Sequence, residues 1–310
     1  MSSRIVVTGI ASRLGRLVAR HLHRLGEGEV VGIDRRPVAH LPKDVVHLAA
    51  DIRSRKARDV FRHDVKALIH IALYHQARTA EQRSFNVMGT ARLLDYCERY
   101  GVEKVIVLSS AEVYGPRPDN HQFLKEDAPL MGAVGFSALQ ELVTADMQAT
   151  SYFWQARHSQ TDAVVLRPVH ILGGLHNPPS NFLRLRHPPV PIGFDPMIQV
   201  VHELDVVQAV MRALGEGVHG VFNIAGPGEL PLSVLLGELG KRPIRVPYGA
   251  LKAGVSLLHK VGLSRFSSPE IEHLRFVGMV DSARAARVLG YRSRYNLRET
   301  VRAVVDYDEL

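Results

Sequence analysis

Two glycines and an aspartate near the start of the chain have the types and spacing needed to bind a dinucleotide. The segment IVVTGIASRLGRLVARHL, residues 5–22, has the pattern of a strand, a tight turn and a helix. Gly9 permits the turn and Gly15 permits close packing of helix on strand, so N–H groups at the helix start could meet a pyrophosphate. Ser12 and Arg13 occupy the places where a middle glycine could stand. Nineteen residues after Gly15, Asp34 ends the strand VVGID, where a carboxylate would bind ribose hydroxyls.

The same aspartate bears on which nicotinamide dinucleotide is bound. Asp34 favours NAD because a carboxylate repels the 2′-phosphate of NADP. Arg13, Arg35 and Arg36 lie near it in the sequence and could instead cradle that phosphate. We therefore expect NAD as the cofactor, with NADP as the alternative.

The elements that must position these residues alternate between β-branched runs and helical patterns. This alternation predicts an α/β fold, a doubly wound parallel sheet of the Rossmann type. Its dinucleotide-binding domain spans residues 1–168, with returning segments near 200–225. The predicted strands occupy residues 5–9, 30–34, 45–49, 67–72, 104–110 and 163–168, and a strong helix occupies 86–102.

The pattern changes after residue 170. Residues 172–198 are rich in Gly, Pro and Asn, and helices are predicted near 203–215, 231–240 and 249–262. Residues 169–310 are therefore predicted to form a smaller C-terminal α/β lobe with C-terminal helices. The ligand cleft is expected between the two parts, at the carboxyl ends of the strands.

Composition excludes several other classes of protein. Of the 310 residues, 46% are hydrophobic and 23% charged, as in an ordinary globular protein. We expect no signal peptide and no membrane span, and the single cysteine, Cys97, fits a reducing cytoplasm. The sixteen histidines show no metal-binding spacing, so no metal site is predicted. The net charge of +8 suits an anionic small ligand better than nucleic acid, because the arginines are scattered along the chain.

Several segments, in order along the chain, resemble the NAD-dependent epimerase/dehydratase family, an extended branch of the short-chain dehydrogenase/reductase superfamily. They are Thr8-Gly9 with Gly15, Ala50-Asp51-Ile52, His70-Ile71-Ala72, NVMGT, LSSAEVYG, LRPVHILGG, VHELDV and DSARAARVLGYR. The resemblance implies a small-molecule ligand such as a nucleotide sugar. With the glycine motif it implies these cofactor-binding residues: Thr8, Gly9, Ser12, Arg13, Leu14, Gly15, Asp34, Arg35, Asp51, Ile52, Ile71, Ala72, Asn86, Ser109 and Pro168.

Members of that family use a Tyr-x-x-x-Lys pair and an upstream Ser or Thr. The spacing puts both side chains on one helix face, where the ammonium lowers the tyrosine pKa and enables proton exchange near neutral pH. Ser110 matches the upstream residue. The pair should follow within MGAVGFSALQELV, residues 131–143, but no tyrosine or lysine occurs between Lys125 and Tyr152. Three registers would place the pair at Val134 and Ala138, at Phe136 and Gln140, or at Ala138 and Leu142.

The missing Tyr-x-x-x-Lys pair leaves two candidate functions. The first is a pseudoenzyme, a nucleotide-sensing or regulatory relative that acts through a protein partner. The second is an active epimerase, dehydratase or reductase with displaced acid–base groups, for which Ser110 and Glu112 are the catalytic candidates. Tyr152 and His170 are further candidates for a relocated acid, although a structural role is favoured for each.

The resemblance also implies a homodimer formed by two helices, near 86–100 and 137–150. On the second helix Leu139, Leu142, Val143 and Met147 form an apolar stripe that could face a symmetry mate. Residues 248–263 are basic and apolar, which could suit a membrane surface. A lobe helix that covers the cleft is the favoured interpretation of that segment.

Overall fold

Seven parallel strands form the central sheet of the computed structural model, in the order β10-β6-β5-β4-β1-β2-β3. The structure describes residues 4–26, 28–38, 41–74, 79–134, 136, 139–156, 161–260, 268–276 and 278–306. The strands of this sheet are β1 (Arg4–Thr8), β2 (Glu29–Asp34), β3 (Val46–Ala49), β4 (Val65–His70), β5 (Lys104–Leu108), β6 (Asp162–Pro168) and β10 (Gly220–Ile224). Each neighbouring pair runs parallel, which confirms the predicted Rossmann-type fold.

Helices cover both faces of this sheet, and β5 and β10 are accordingly buried along their whole length. The helices are α1 (Arg13–Leu25), α2 (Arg55–Val60), α3 (Ala80–Tyr100), α4 (Gln140–Ala156), α6 (Glu203–Ala213) and α10 (Ala283–Val288). The chain runs from β1 outward to β3, then crosses to β4 on the other side of β1. Such a reversal opens a crevice at the carboxyl ends of the strands.

A smaller group of elements follows β6. It contains β7 (His170–Leu172), β8 (Pro189–Pro191), β9 (Met197–His202), β11 (Glu229–Pro231), β12 (Ile244–Val246), α5 (Pro178–Arg184), α7 (Leu232–Glu238), α8 (Tyr248–Lys260), α9 (Ser268–His273) and α11 (Leu297–Asp306). β11, β9 and β7 form a three-stranded sheet, and β12 pairs with β8. Leu172, Phe182, Val200, Leu235 and Val304 belong to a core of their own beneath this sheet.

The sequence placed a returning segment near 200–225, and the structure puts α6 and β10 there. α6 packs on α1, and β10 pairs with β6 at the edge of the large sheet. Within the described residues, no helix combines the length and the apolar composition needed to cross a membrane.

Two predicted strands end earlier than expected, because their last residues turn out of the sheet. Ile71 leaves β4 and donates its N–H to the carbonyl oxygen of Thr8 at 3.3 Å. Ser110 leaves β5 and caps a 3₁₀ turn at Ala111–Tyr114. Both departures occur at the crevice, so the residues beyond the strand ends become available to line it.

The predicted dimer stripe on α4 is wrong for three of its four residues. Leu139, Leu142 and Val143 are at most 5% exposed and pack in the core of their own chain. Only Met147, at 58%, is exposed. The helical period was correct, but these three side chains pack against the core of their own chain, which includes Val113 and Tyr114 of the 3₁₀ turn.

Candidate cofactor and ligand site

The turn between β1 and α1 leaves no room for a side chain at either glycine. Gly9 has a φ of +76°, and a Cβ there would lie 2.9 Å from the backbone nitrogen of Ala72. A Cβ on Gly15 would lie 2.3 Å from the carbonyl oxygen of Gly9. Ser12 caps α1 and accepts a hydrogen bond from the Gly15 N–H at 3.0 Å. The helix therefore begins directly against the strand end, and its N-terminus is aimed at the crevice, as a dinucleotide pyrophosphate requires.

Asp34 lies at the end of β2, next to this turn. Its carboxylate accepts hydrogen bonds from the backbone N–H groups of Ala11, at 3.1 Å, and Arg36, at 3.0 Å. The guanidinium of Arg36 also donates to it, at 3.2 Å. Burial raises the pKa of Asp34, but these hydrogen bonds outweigh burial and hold it below the usual value. An ionised carboxylate therefore lies at the end of β2, beside the β1–α1 turn.

The arginines that could have cradled a 2′-phosphate each face a carboxylate of the protein. Arg13 donates to Glu203 through two nitrogens at 2.7 to 2.9 Å, and the Glu203 side chain is fully buried. Arg35 pairs with Glu81, and Arg36 pairs with Asp34 as described above. The local positive charge is thus largely neutralised, which favours NAD over NADP.

Two predicted cofactor residues turn their side chains into the protein and hold the loops that frame the crevice. The Thr8 hydroxyl lies 2.7 Å from Nδ1 of His70, and Nε2 of His70 lies 3.1 Å from the Thr90 hydroxyl. Burial lowers the pKa of His70 to about 3, so the imidazole is neutral. Asn86 accepts from the N–H of Tyr74 at 2.8 Å and donates to its carbonyl at 2.6 Å. These side chains position the backbone at the ends of β1 and β4.

Hydrogen bonds and packing also hold the pair Asp51-Ile52, which follows β3. Asp51 accepts hydrogen bonds from the backbone and guanidinium of Arg53 at 2.7 to 2.9 Å. Burial raises the pKa of Asp51, and the stronger opposing effect of Arg53 brings it below the usual value. Ile52 is 1% exposed and lies beneath Gly89, where a Cβ would come within 2.5 Å of it.

A cleft of about 560 Å³ lies over the carboxyl ends of the strands. It is lined by residues from the β1–α1 turn, from the segments after β4 and β5, and from the start of the lobe. Seven predicted site residues lie together in its wall: Ser12, Leu14, Ile71, Ser109, Ser110, Glu112 and Pro168. Four of the family-like segments therefore meet in one place.

A smaller cavity adjoins the end of this cleft that holds the candidate catalytic residues. Ser110, Glu112 and His170 line both spaces, and His273 lies in the wall of the smaller one. The rings of His170 and His273 are 5.1 Å apart, edge to face. Burial lowers the pKa of both imidazoles, that of His273 to about 3, although the nearby Glu112 opposes the shift. Both rings are therefore neutral at physiological pH and can donate or accept a proton at nitrogen.

The residues that the three registers assign to the missing pair have no side chain that exchanges a proton near neutral pH. Val134 is 51% exposed, Phe136 is half-buried and Leu142 is 1% exposed. Gln140 is exposed at the first turn of α4. Ala138 lies outside the described residues. None of the four described positions lies in the wall of the cleft.

Tyr152 does not line the cleft or the smaller cavity beside it. It is 8% exposed and belongs to the same core cluster as Cys97, which is fully buried. Burial raises the pKa of both groups, so neither is disposed to ionise. Of the two candidates for a relocated acid, only His170 reaches the site.

Sequence reasoning missed a buried ion pair that supports the site. Arg167 on β6 and Asp146 on α4 are 2% and 0% exposed, and their nearest atoms are 2.6 Å apart. Ser109 donates to the same carboxylate at 2.5 Å, and Arg167 donates to the Tyr114 hydroxyl at 2.9 Å. Tyr114 in turn donates to Asn223 at 2.8 Å. The sequence feature that could have revealed this ion pair is Arg167, a charged residue within the otherwise apolar strand AVVLRP.

Comparison with known proteins agrees with this geometry. The sequence profile of the NAD dependent epimerase/dehydratase family matches residues 5–225, well over half of the 310-residue chain. The chain belongs to this family. Membership confirms the predicted resemblance and the predicted cofactor, NAD. The match begins in β1 and ends just after β10, so it covers the whole of the large sheet.

Relatives include proteins of both unknown and known activity. An uncharacterised protein of Mycobacterium tuberculosis is 28% identical over 265 residues, which cover 83% of this chain and 69% of that protein. UDP-glucose 4-epimerase of Streptococcus mutans is 32% identical over 124 residues, or 36% of this chain and 37% of that enzyme. MoeE5, solved with UDP-glucuronic acid and NAD, superposes with a TM-score of 0.75 at 24% identity over 99% of both chains.

Proposed function

We propose that this chain binds NAD in the cleft and is a non-catalytic, ligand-sensing member of its family that acts through a protein partner. The observation that carries the proposal is the absence of tyrosine and lysine between Lys125 and Tyr152, next to an intact cofactor end. The glycine turn, the cap at Ser12 and the ionised Asp34 all fit a bound dinucleotide.

The missing pair matters because bound NAD supplies only the hydride acceptor. A substrate hydroxyl must also lose its proton, and a group with a lowered pKa must take that proton. At the start of α4 the structure has the buried, non-ionisable side chains Leu139 and Leu142 instead. Cofactor binding without efficient proton transfer is the combination expected of a sensor.

A second candidate function is an enzyme with displaced acid–base groups. The observation in its favour is that Ser110, Glu112 and His170 line one cavity beside the cleft. The neutral imidazole could accept a proton from a substrate hydroxyl, and Glu112 would stabilise the imidazolium formed. Hydride transfer to or from the cofactor distinguishes this candidate from the first.

The ligand and the assembly are further parts of the proposal. Solved relatives hold UDP-glucuronic acid or UDP-glucose, so a nucleotide sugar is the ligand class against which any other ligand is compared. A homodimer through α3 and α4 is proposed from the exposed apolar side chains on these helices, which are Met88, Met147 and Trp154.

Calorimetry with NAD tests the cofactor part of the proposal. The wild type should bind NAD, and bound NAD should raise its melting temperature by mass action. Gly15→Ala should abolish this rise, because its Cβ would lie 2.3 Å from the Gly9 oxygen and displace the helix start. Gly237→Ala is the matched control, since a Cβ there meets nothing within 4 Å. A wild type that binds neither NAD nor NADP at millimolar concentration would refute the proposal.

A further inference from the structure

An apolar cavity extends from the ligand cleft into the lobe. His170 and His273 lie at its entrance, between the cleft and the lobe core. Its wall is formed by aliphatic and aromatic side chains from β7, α5, β9 and α7, among them Leu172, Phe182 and Leu235. The cavity has a volume of about 50 Å³, which takes one edge of a small apolar ring while the rest of the ring lies toward the cleft. Apart from the two histidines, the described lining residues carry no polar side chain.

Among the described residues, neither this cavity nor the cleft nor the smaller cavity beside it is lined by an arginine or a lysine. A diphosphate brings negative charge that proteins usually meet with those side chains. Two arginines of the lobe, Arg184 and Arg275, are bound within the protein. Arg184 donates to the carbonyls of Gly173 and Leu175, and Arg275 pairs with Glu272.

Backbone N–H groups at a helix start are the other common anion ligand, and α5 faces the cleft with its first turn. Its first two residues are Pro178 and Pro179, which have no N–H to donate. The next N–H, from Ser180, donates to the side chain of its own cap, Asn177, at 3.0 Å. The start of α5 is thus poorly suited to a phosphate group.

The polar atoms at the cavity entrance suit a single uncharged oxygen. Nε2 of His273 is buried and has no hydrogen-bond partner among the described residues. The ring of His170 lies beside it, and the Ser110 hydroxyl lies in the wall of the same small cavity. A buried nitrogen without a partner is costly, and a hydroxyl or carbonyl group of a ligand would satisfy it.

We infer that the ligand of this lobe is an uncharged, largely apolar molecule with one hydroxyl or carbonyl group, and is not a nucleoside diphosphate sugar. The apolar part occupies the lobe cavity, and the oxygen lies at His273 and His170. The inference rests on the proposed function, because the ligand oxygen would lie at the end of the proposed NAD cleft that holds Ser110, Glu112 and His170. It departs from the nucleotide sugars held by the solved relatives, because no arginine or lysine among the described residues lines the cleft or the two cavities beside it.

Calorimetric titration of the full chain with cyclohexanone and, separately, with UDP-glucose tests this inference. Each titration is run with and without saturating NAD. Saturable binding of cyclohexanone and no binding of UDP-glucose is the expected result. Because the cavity belongs to the lobe, cyclohexanone should bind in both conditions, so failure of NAD binding leaves this test decisive. Binding of UDP-glucose, or no binding of cyclohexanone, would overturn the inference.

A matched pair of variants locates the bound probe. Ile198 lines both the apolar cavity and the smaller one, so Ile198→Trp should fill the space and weaken cyclohexanone binding by about tenfold or more. Ile192→Trp is the control, because Ile192 is 52% exposed and lies outside these cavities. Both variants should keep wild-type NAD binding, which shows that they fold. Equal cyclohexanone affinity in Ile198→Trp and the control would also contradict the inference.

Discussion

Asp34 is the single residue on which the choice between the two dinucleotides depends. Its carboxylate is held by two backbone N–H groups and by Arg36, which keep it ionised. The 2′-phosphate of NADP would approach this charge, so the wild type should bind NAD more tightly. Asp34→Ala should narrow the NAD to NADP affinity ratio by roughly fivefold, the effect of removing about 1 kcal/mol of charge repulsion. Calorimetric dissociation constants measure the ratio. Tighter binding of NADP by the wild type would contradict this prediction.

Asp146 is a second residue whose loss should have a large effect. Removing this carboxylate leaves the Arg167 guanidinium buried without its counter-charge, which should cost about 3–5 kcal/mol in the free energy of unfolding. Urea unfolding of Asp146→Ala measures this cost. Asp119→Ala, which removes an exposed partner of Arg117, is the control and should leave stability unchanged. A small loss in Asp146→Ala would show that the pair is not essential to the fold.

The same residues show the limit of reasoning from sequence. The spacing of Gly9, Gly15 and Asp34 is local, and it was sufficient to predict the turn and the strand end. The alternative that placed Arg13 at a 2′-phosphate came from its sequence position, whereas the structure pairs Arg13 with Glu203, 190 residues later in the chain. Composition and periodicity carry no information about which distant carboxylate an arginine will meet.

At the scale of elements, periodicity predicted which helices exist better than where they begin. The predicted helix at 86–102 begins six residues earlier, at Ala80, where Thr79 and Gln82 form a capping box. Helix α4 was predicted at 137–150 and extends to Ala156. The helical period of its apolar stripe was predicted correctly, but the stripe was wrongly assigned to a dimer interface. Sequence alone does not show whether an apolar helix face packs on its own chain or on a partner.

The exposed face of α4 supports a different dimer surface. Met147 and Trp154, two helical turns apart, are 58% and 55% exposed. Light scattering at micromolar concentration should give a dimer mass for the wild type and a monomer mass for the double variant Met147→Glu with Trp154→Glu. Leu257→Glu on α8, where Leu257 is 63% exposed, is the control and should remain dimeric. A monomeric wild type would exclude this interface.

At the scale of the whole molecule, buried neutral histidine couples folding to pH. His70 is 1% exposed, and its pKa of about 3 lies below the 6.5 of an unfolded chain. Below pH 6.5 the unfolded state therefore binds a proton that the folded state does not bind, so stability falls as pH decreases. The loss from this one group should be about 2 kcal/mol between pH 7 and pH 5.

Urea unfolding at pH 7 and pH 5 measures this effect. The wild type should be less stable at pH 5, and His70→Gln should show a smaller difference between the two pH values, whatever its absolute stability. His121→Gln, at an exposed position, should keep the wild-type difference. An equal pH dependence in wild type and His70→Gln would show that other groups control it.

The whole molecule also shows why function was harder to predict than fold. The parallel Rossmann-type sheet follows from the alternation of strands and helices along the chain, and the structure confirms it. The cleft brings together residues from near positions 12, 71, 110 and 168, and the apolar lobe cavity adds residues from α7 and α9. These residues are far apart in the sequence, so only the folded structure shows that they line one cleft and one cavity.

The most direct test of the central claim is hydride transfer in the unmodified protein. NAD-loaded protein is mixed with UDP-glucose or cyclohexanol, and NADH-loaded protein with cyclohexanone, while NADH absorbance and the sugar products are followed. The account predicts no turnover, because the segment between Lys125 and Tyr152 holds neither a tyrosine nor a lysine. Activity should appear in one of three double variants that restore the pair: Val134→Tyr with Ala138→Lys, Phe136→Tyr with Gln140→Lys, or Ala138→Tyr with Leu142→Lys. Turnover by the unmodified protein at roughly 1 s⁻¹, an ordinary enzyme rate, would contradict the account and make Ser110→Ala and Glu112→Gln the next variants to measure.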